Sequence, residues 1–161
     1  MIDVRALANV ILDLADSRGV HVTNMGLNKV AYFVHCDHLI EKSEPLVKAK
    51  IEAWQHGPVF REVYHEFKRW GDEPIKSRAT KVNPETGEVD LATASLTNEQ
   101  MSYLSVLVAR YVDFSAAYLR AISHAEEGPW AKVWGHDGNT NPGMRITDEL
   151  IRQHYSPGAR Q

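Results

Sequence analysis

The sequence predicts a mainly α protein: a single compact helical domain of about six helices with a small β-hairpin element. Apolar residues recur at three- and four-residue spacing over most of the chain. One clear turn between short valine- and leucine-bearing runs stands at "KVNPETGEVDL", residues 81–91. The 161 residues, 43% of them hydrophobic and 24% charged, suffice for one core without disulfide or metal staples. One domain covering 1–161 is the expected organisation.

Val4, Leu7, Ile11 and Leu14 lay an apolar stripe on a first helix, with Asp3, Arg5, Asn9, Asp13 and Asp16 between them and Gly19 placed to end it. Thr23 or Asn24 caps a second helix over roughly 25–41, whose middle, "KVAYFVHC", is apolar on most sides and belongs near the centre. Pro45 interrupts helical spacing, and Val47, Ile51 and Trp54 then suggest a short extended piece near 50–54. Pro58 suits the first position of a third helix, where its missing N–H would be unpaired anyway. Val59, Phe60, Val63, Tyr64, Phe67 and Trp70 form that helix's apolar face, and Gly71 is a natural stop. Thr97 and Gln100 form a capping box, with Leu96 and Met101 spaced for a hydrophobic staple. Met101, Leu104, Leu107, Val108 and Tyr111 carry that helix to about 111. Asp113 or Ser115 caps a fifth helix with Tyr118, Leu119 and Ile122 inward. Residues 126–143 are turn-rich, and Thr147 caps a last short helix with Asp148 and Glu149 in its first turn.

Composition narrows the function. The net charge of −3 offers no general basic stripe for nucleic acid. The basic residues Lys42, Lys48, Lys50, Lys68, Arg69, Lys76, Arg78 and Lys81 are interleaved with glutamates and read as solvated surface. The first two helices have the connection length of a helix-turn-helix, but the second is too apolar to lie in a groove. The lone Cys36 cannot form an internal disulfide and suggests a reducing compartment. With no long apolar run and an N-terminus unlike a signal peptide, a cytoplasmic protein without membrane contact is expected.

Candidate chemistry is sparse. In "HCDH", residues 35–38, His35 and His38 are helical neighbours that could share an ion, yet zinc needs at least a third protein ligand and none stands at a recognisable spacing. A small metal-dependent hydrolase using His35, His38 and a distant histidine is the enzyme-class alternative. Cys36 beside any of eight histidines is a cheap coincidence, and no nucleophile elbow, phosphate loop or carboxylate pair appears. No catalytic residue, cofactor-binding residue or metal ligand is therefore assigned. Trp54, Trp70, Trp130 and Trp134 stand at element ends or in the turn-rich segment, where tryptophans pin loops onto helices. Their second reading is a protein-binding groove.

"LNKVAYFVHCDHL" (27–39), "EAWQHGPVFREVYHEFKRWG" (52–71), "SAAYLRAISHAEEGPW" (115–130) and "ITDELIRQHY" (146–155) together resemble the Panacea domain family, which includes SocA-like antitoxins of type II toxin–antitoxin systems and phage-associated proteins. The blocks occur in the family's order and cover most of the chain. The signature matches at Leu27, Asn28, Lys29, Tyr32, Trp54, Gly57, Pro58, Val59, Tyr64, Gly71, Pro129 and Trp130. It departs at Gln55-His56, where an aromatic often precedes the glycine, and at the small Val30-Ala31 pair. The resemblance implies a non-enzymatic, cytoplasmic, mainly α protein that neutralises a cognate protein toxin by direct binding. In the SocA case it also implies a proteolytic adaptor that delivers the toxin to ClpXP. A prophage-encoded regulator or adaptor binding a host protein is the remaining alternative. Asn28 and Lys29 are expected to share polar contacts with the Trp54–Pro58 turn. The toxin-facing surface is expected at 76–92 and 131–145, because residues that specify a shared fold should not choose among unrelated partners.

Overall fold

In the computed structural model, which describes residues 1–135 and 144–157, α2 (Asn24–Lys42) forms the axis and is buried on nearly every side. Around it stand α1 (Val4–Ser17), α3 (Arg61–Phe67), α4 (Asn98–Ala109), α5 (Ala116–Ser123) and α7 (Asp148–Tyr155), all in contact with it. Strands β1 (Ile51–Trp54), β2 (Gly57–Phe60) and β5 (Arg145–Ile146) make a small antiparallel sheet in the order β2-β1-β5. A separate hairpin pairs β3 (Thr80–Val82) with β4 (Val89–Leu91). A short helix, α6 (Pro129–Trp134), lies against β1, β5 and α7. One apolar cluster joins residues from every one of the longer helices, from Val4 to Ile151.

Local signals fix most helix starts. Thr23 Oγ1 accepts from the Gly26 N–H at 3.2 Å, Ser115 Oγ from Tyr118 N–H at 3.1 Å, and Thr147 Oγ1 from Leu150 N–H at 3.2 Å. Thr97 and Gln100 close a reciprocal capping box, at 2.9 and 3.1 Å.

Several expectations are corrected. Pro58 does not open a helix: it lies in β2, paired with Ala53, and α3 starts only at Arg61. The hairpin closes through Gln55 and His56, with Trp54 opposite Gly57. In that register Phe60 turns its N–H outward, to a side chain of α2. Pro58, two residues back, has the same orientation, so its missing N–H breaks no β1 hydrogen bond. Val59 and Phe60 are thus buried strand residues, and α3 runs on through a 3₁₀ turn, Lys68–Trp70, to Gly71. Within the turn-rich stretch 126–143 lies α6, so the described residues hold seven α-helices, against the about six expected; residues 136–143 of that stretch lie outside the described residues. Helix α4 ends at Ala109 rather than near 111, and Met101 and Tyr118, expected inward, are 38% and 48% exposed.

Asn9 is the most instructive correction. Grouped by spacing with the polar face of α1, it is buried. Its Nδ2 donates to the carbonyls of Ala79 and Ala92, both at 2.9 Å, and its Oδ1 accepts from Ala79 N–H at 2.7 Å. Ala92 N–H in turn donates to Ala79 O at 2.9 Å. One side chain therefore clamps both ends of the β3–β4 hairpin to α1, while Arg78 adds ion pairs to Asp13 and Asp16. Replacing Asn9 by Ala removes the side-chain partner of the Ala92 carbonyl and of the Ala79 N–H, while Ala79 O keeps the Ala92 N–H, so Asn9→Ala is expected to lower stability by about 3 kcal/mol in urea denaturation. It should also speed hydrogen exchange at Ala79 and Ala92.

Candidate functional site

Most of the residues matched to the family signature, Leu27 and Tyr32 excepted, gather around the β1–β2 turn. β2 is an edge strand, and edge strands leave backbone donors and acceptors that need partners. Here α2 supplies them from adjacent residues. Asn28 Oδ1 accepts from Phe60 N–H at 3.0 Å, and Lys29 Nζ donates to Pro58 O at 2.9 Å. Asn28 spends its amide N–H groups on the backbone carbonyl and Oδ1 of Asn24, each at 3.0 Å, and Asn24 Nδ2 donates to Tyr64 O at 3.0 Å. This chain ties the start of α2 to β2 and α3.

Lys29 is 1% exposed and has no carboxylate partner among the described residues. Burial, helped by the nearby Arg120 charge, pulls its pKa from 10.5 down to about 7. Gly57 makes the close approach possible. Its φ is +114°, and a Cβ there would lie 2.7 Å from Lys29 Cε and 2.8 Å from Ser123 Oγ. The tryptophans lock the turn from the other side. Trp130 Nε1 donates to Trp54 O at 2.7 Å, and the Trp54 ring meets Tyr64 edge-on at 4.7 Å. Pro129 sets the first turn of α6 and so aims Trp130 at that carbonyl.

A cavity of about 350 Å³ opens beside the turn, lined in part by Asn28, Lys29, Trp54, His56, Val59 and Tyr64. Gly71, at positive φ after the 3₁₀ turn, forms part of its rim. Leu27 and Tyr32 are fully buried in the core and line none of it. Asn24 is the member of this network that spacing did not single out: it was weighed only as a cap, though its separation from Asn28 is one helical turn. Nothing local in the sequence marks Arg120, Ser123 and His124 at the end of α5.

His35 and His38 do not converge. His35 Nε2 donates to Asp148 Oδ1 at 2.9 Å and its Nδ1 accepts from Val47 N–H at 3.4 Å, which joins α2, α7 and the segment before β1. The Asp148 carboxyl is held below its usual range by that bond. His38 Nδ1 donates to Glu44 O at 3.0 Å. Among the described residues, no three His, Cys, Asp or Glu side chains gather in a group able to hold a metal ion. Cys36 is buried, and burial pushes its thiol pKa well up. No described helix is long and apolar enough to cross a membrane. Trp54 Nε1 donates to Glu52 and Trp70 Nε1 to Ser77, as Trp130 Nε1 does to Trp54 O, and the Trp134 ring is 41% exposed.

The fold and this turn define a mainly α protein in which a central helix grips the edge of a small sheet through buried polar side chains. A family model, the SocA-like antitoxin Panacea domain, matches residues 27–131, and the chain belongs to that family. Antitoxin SocA of Caulobacter vibrioides (strain NA1000 / CB15N) is 33% identical over 155 residues, which are 96% of this chain and 82% of that protein. No solved structure matches.

Two predictions test the turn. Gly57→Ala combines a strained φ with a clash against a pinned lysine stem and should lower stability by about 3 kcal/mol in chemical denaturation. Lys29 binds fewer protons folded than unfolded between pH 7 and 10.5, so its contribution to stability rises with pH across that window and is lost as pH falls through about 7. Relative to Lys29→Met, the wild type should gain about 2 kcal/mol between pH 7 and pH 9. Parallel denaturation series of the two proteins at both pH values measure it; equal pH dependence would count against the assignment.

Proposed function

We propose that the chain is the antitoxin of a bacterial type II toxin–antitoxin system and neutralises a cognate protein toxin by direct, non-enzymatic binding in the cytoplasm. The carrying observation is the identity with Antitoxin SocA across 96% of this chain. The signature residues support an architectural role within that function. Asn28, Lys29, Trp54, Gly57, Pro58 and Trp130 are spent on one another, with Lys29 and Gly57 buried.

Toxin choice then falls to surface that the fold does not need. The β3–β4 hairpin fits this role. It is clamped at its base by Asn9, while Val82, Val89 and Leu91 remain 62%, 65% and 57% exposed. Val82 and Val89 face each other across the two strands; among the described residues neither strand pairs with a third, and the outward Thr80 N–H of β3 donates to Glu66 Oε1 at 3.0 Å. Exposed apolar side chains beside an unpaired edge suit a protein partner that adds a strand or lays an apolar face there. Of the second expected segment, 131–145, residues 136–143 lie outside the described residues.

Growth of cells expressing a toxin candidate encoded beside this gene, alone and with this chain, tests the reading. Restored growth is expected. A harmless neighbour, or toxicity that soluble, folded protein leaves untouched, would overturn it in favour of an adaptor for a host protein. Rescue that persists in cells lacking ClpX would assign blockade, and rescue lost there would assign delivery to ClpXP. Val82→Ser/Val89→Ser/Leu91→Ser should keep the fold by circular dichroism yet weaken toxin binding at least about tenfold. Unchanged affinity in the folded variant would move the interface elsewhere.

A further inference from the structure

Near the β1–β2 turn, basic side chains from three elements lie close enough to act on one another, and Lys68 and Asp72 are among the other residues lining the cavity beside them. Lys29 comes from α2, His56 from the turn, and Arg120 and His124 from α5 and its C-terminal cap. Gly57 lets α2 and α5 close on the turn: a Cβ there would stand 2.7 Å from Lys29 Cε and 2.8 Å from Oγ of Ser123, the residue before His124. His124 is held flat on Trp130, ring centroids 3.6 Å apart, and Trp130 is itself bonded to the Trp54 carbonyl at 2.7 Å. The arrangement is rigid and basic.

It is also unsatisfied. Arg120 Nε and His124 Nε2 are buried atoms without a hydrogen-bond partner. The Lys29 ammonium has three N–H groups, and its bond to Pro58 O uses one. Among the described residues, none of these four side chains takes part in an ion pair. The charges acting on Lys29 and His124 are of like sign: burial and then Arg120 lower the Lys29 pKa, and burial followed by Arg120, Lys29 and His56 lowers that of His124. Buried donors left unpaired and like charges left uncompensated are both unfavourable, and native proteins leave few of either.

We propose that Lys29, Arg120 and His124 form a receptor for one oxyanionic group, a phosphate or a carboxylate, approached from the cavity that Lys29 and His56 line. An oxyanion offers several acceptor lone pairs on one centre, which suits an ammonium, a guanidinium and an imidazole converging from different helices. Beside it the cavity of about 350 Å³ has the size of a small-ligand site, with Trp54 and Tyr64 for an apolar wall. This site is independent of toxin binding, and its test needs no toxin.

The full chain, with labelled histidine and lysine, is titrated with sodium phosphate and separately with sodium acetate at fixed pH, against sodium chloride of equal ionic strength. Saturable shifts of the His124 ring and Lys29 Nζ signals are expected, with a dissociation constant of about 1 mM, together with a raised Tm. Response to phosphate alone assigns a phosphate ligand, response to acetate alone a carboxylate, and response to both a general oxyanion site. Arg120→Gln, folded by circular dichroism, should weaken the response about tenfold, and His124→Gln provides a second variant if the first does not fold. No saturable shift with either anion, or an undiminished response in a folded variant, would overturn the proposal.

Discussion

The structure depends on the outer edge of a four-residue strand being satisfied by a helix rather than by another strand. β2 presents one N–H, from Phe60, and one C=O, from Pro58, toward α2. A proline at 58 removes the N–H that α2 would otherwise have to accept, and leaves a carbonyl that needs a donor. Consecutive residues of α2 answer both needs, since Asn28 carries an acceptor and Lys29 a long-reaching donor. Because the two are adjacent on one helix, a single rotational setting of α2 meets both, and a helix turned or shifted by a residue would meet neither. The turn thus sets the phase of the central helix, against which five other helices pack.

Lysine at this buried position is explained by shape as well as by charge. Its aliphatic stem fills core volume as Met or Leu would, and its end delivers a donor that those residues lack. With its pKa near 7, both amine and ammonium forms are populated at neutral pH, and both can donate to Pro58 O. Titration therefore changes the burial penalty without necessarily breaking the bond. The glycine next to the proline completes the logic. The stem occupies the space that any side chain at 57 would need, so the turn and the lysine are fitted to each other.

What the sequence made legible was local. The caps at Thr97, Ser115 and Thr147 and the β3–β4 hairpin were readable because the partner groups lie within a few residues. Pro58 misled because a helix's first turn and an outward-facing edge-strand position both tolerate a residue without an N–H. What separates them is an acceptor 32 residues away, Asn28 against Phe60. Asn9 misled for the same reason, its partners standing 70 and 83 residues on. Helix α6 was hidden because six residues give less than two turns of periodicity and its Gly-Pro start is also a turn signal. The resemblance brought Trp54, Gly57, Pro58 and Trp130 forward as a set, but gave no reason for it; the reason is a carbonyl shared across 76 residues.

The same constraint explains why two kinds of surface can coexist on so small a protein. One flank of the turn is closed, its backbone groups satisfied and its glycine intolerant of any side chain. Changes there alter the phase of α2 and, through it, the whole core. The β3–β4 hairpin has the opposite character: its attachment runs through Asn9, Arg78, the backbone of Ala79 and Ala92, and the Thr80 N–H bonded to Glu66. None of those anchors is a hairpin-tip residue. Substitutions at Val82, Val89 or Leu91 can therefore change what the surface attracts without passing strain to the clamp or to the turn. Because the residues that hold the fold are separate from those exposed on the hairpin, that surface can vary at little risk to the stability of the scaffold.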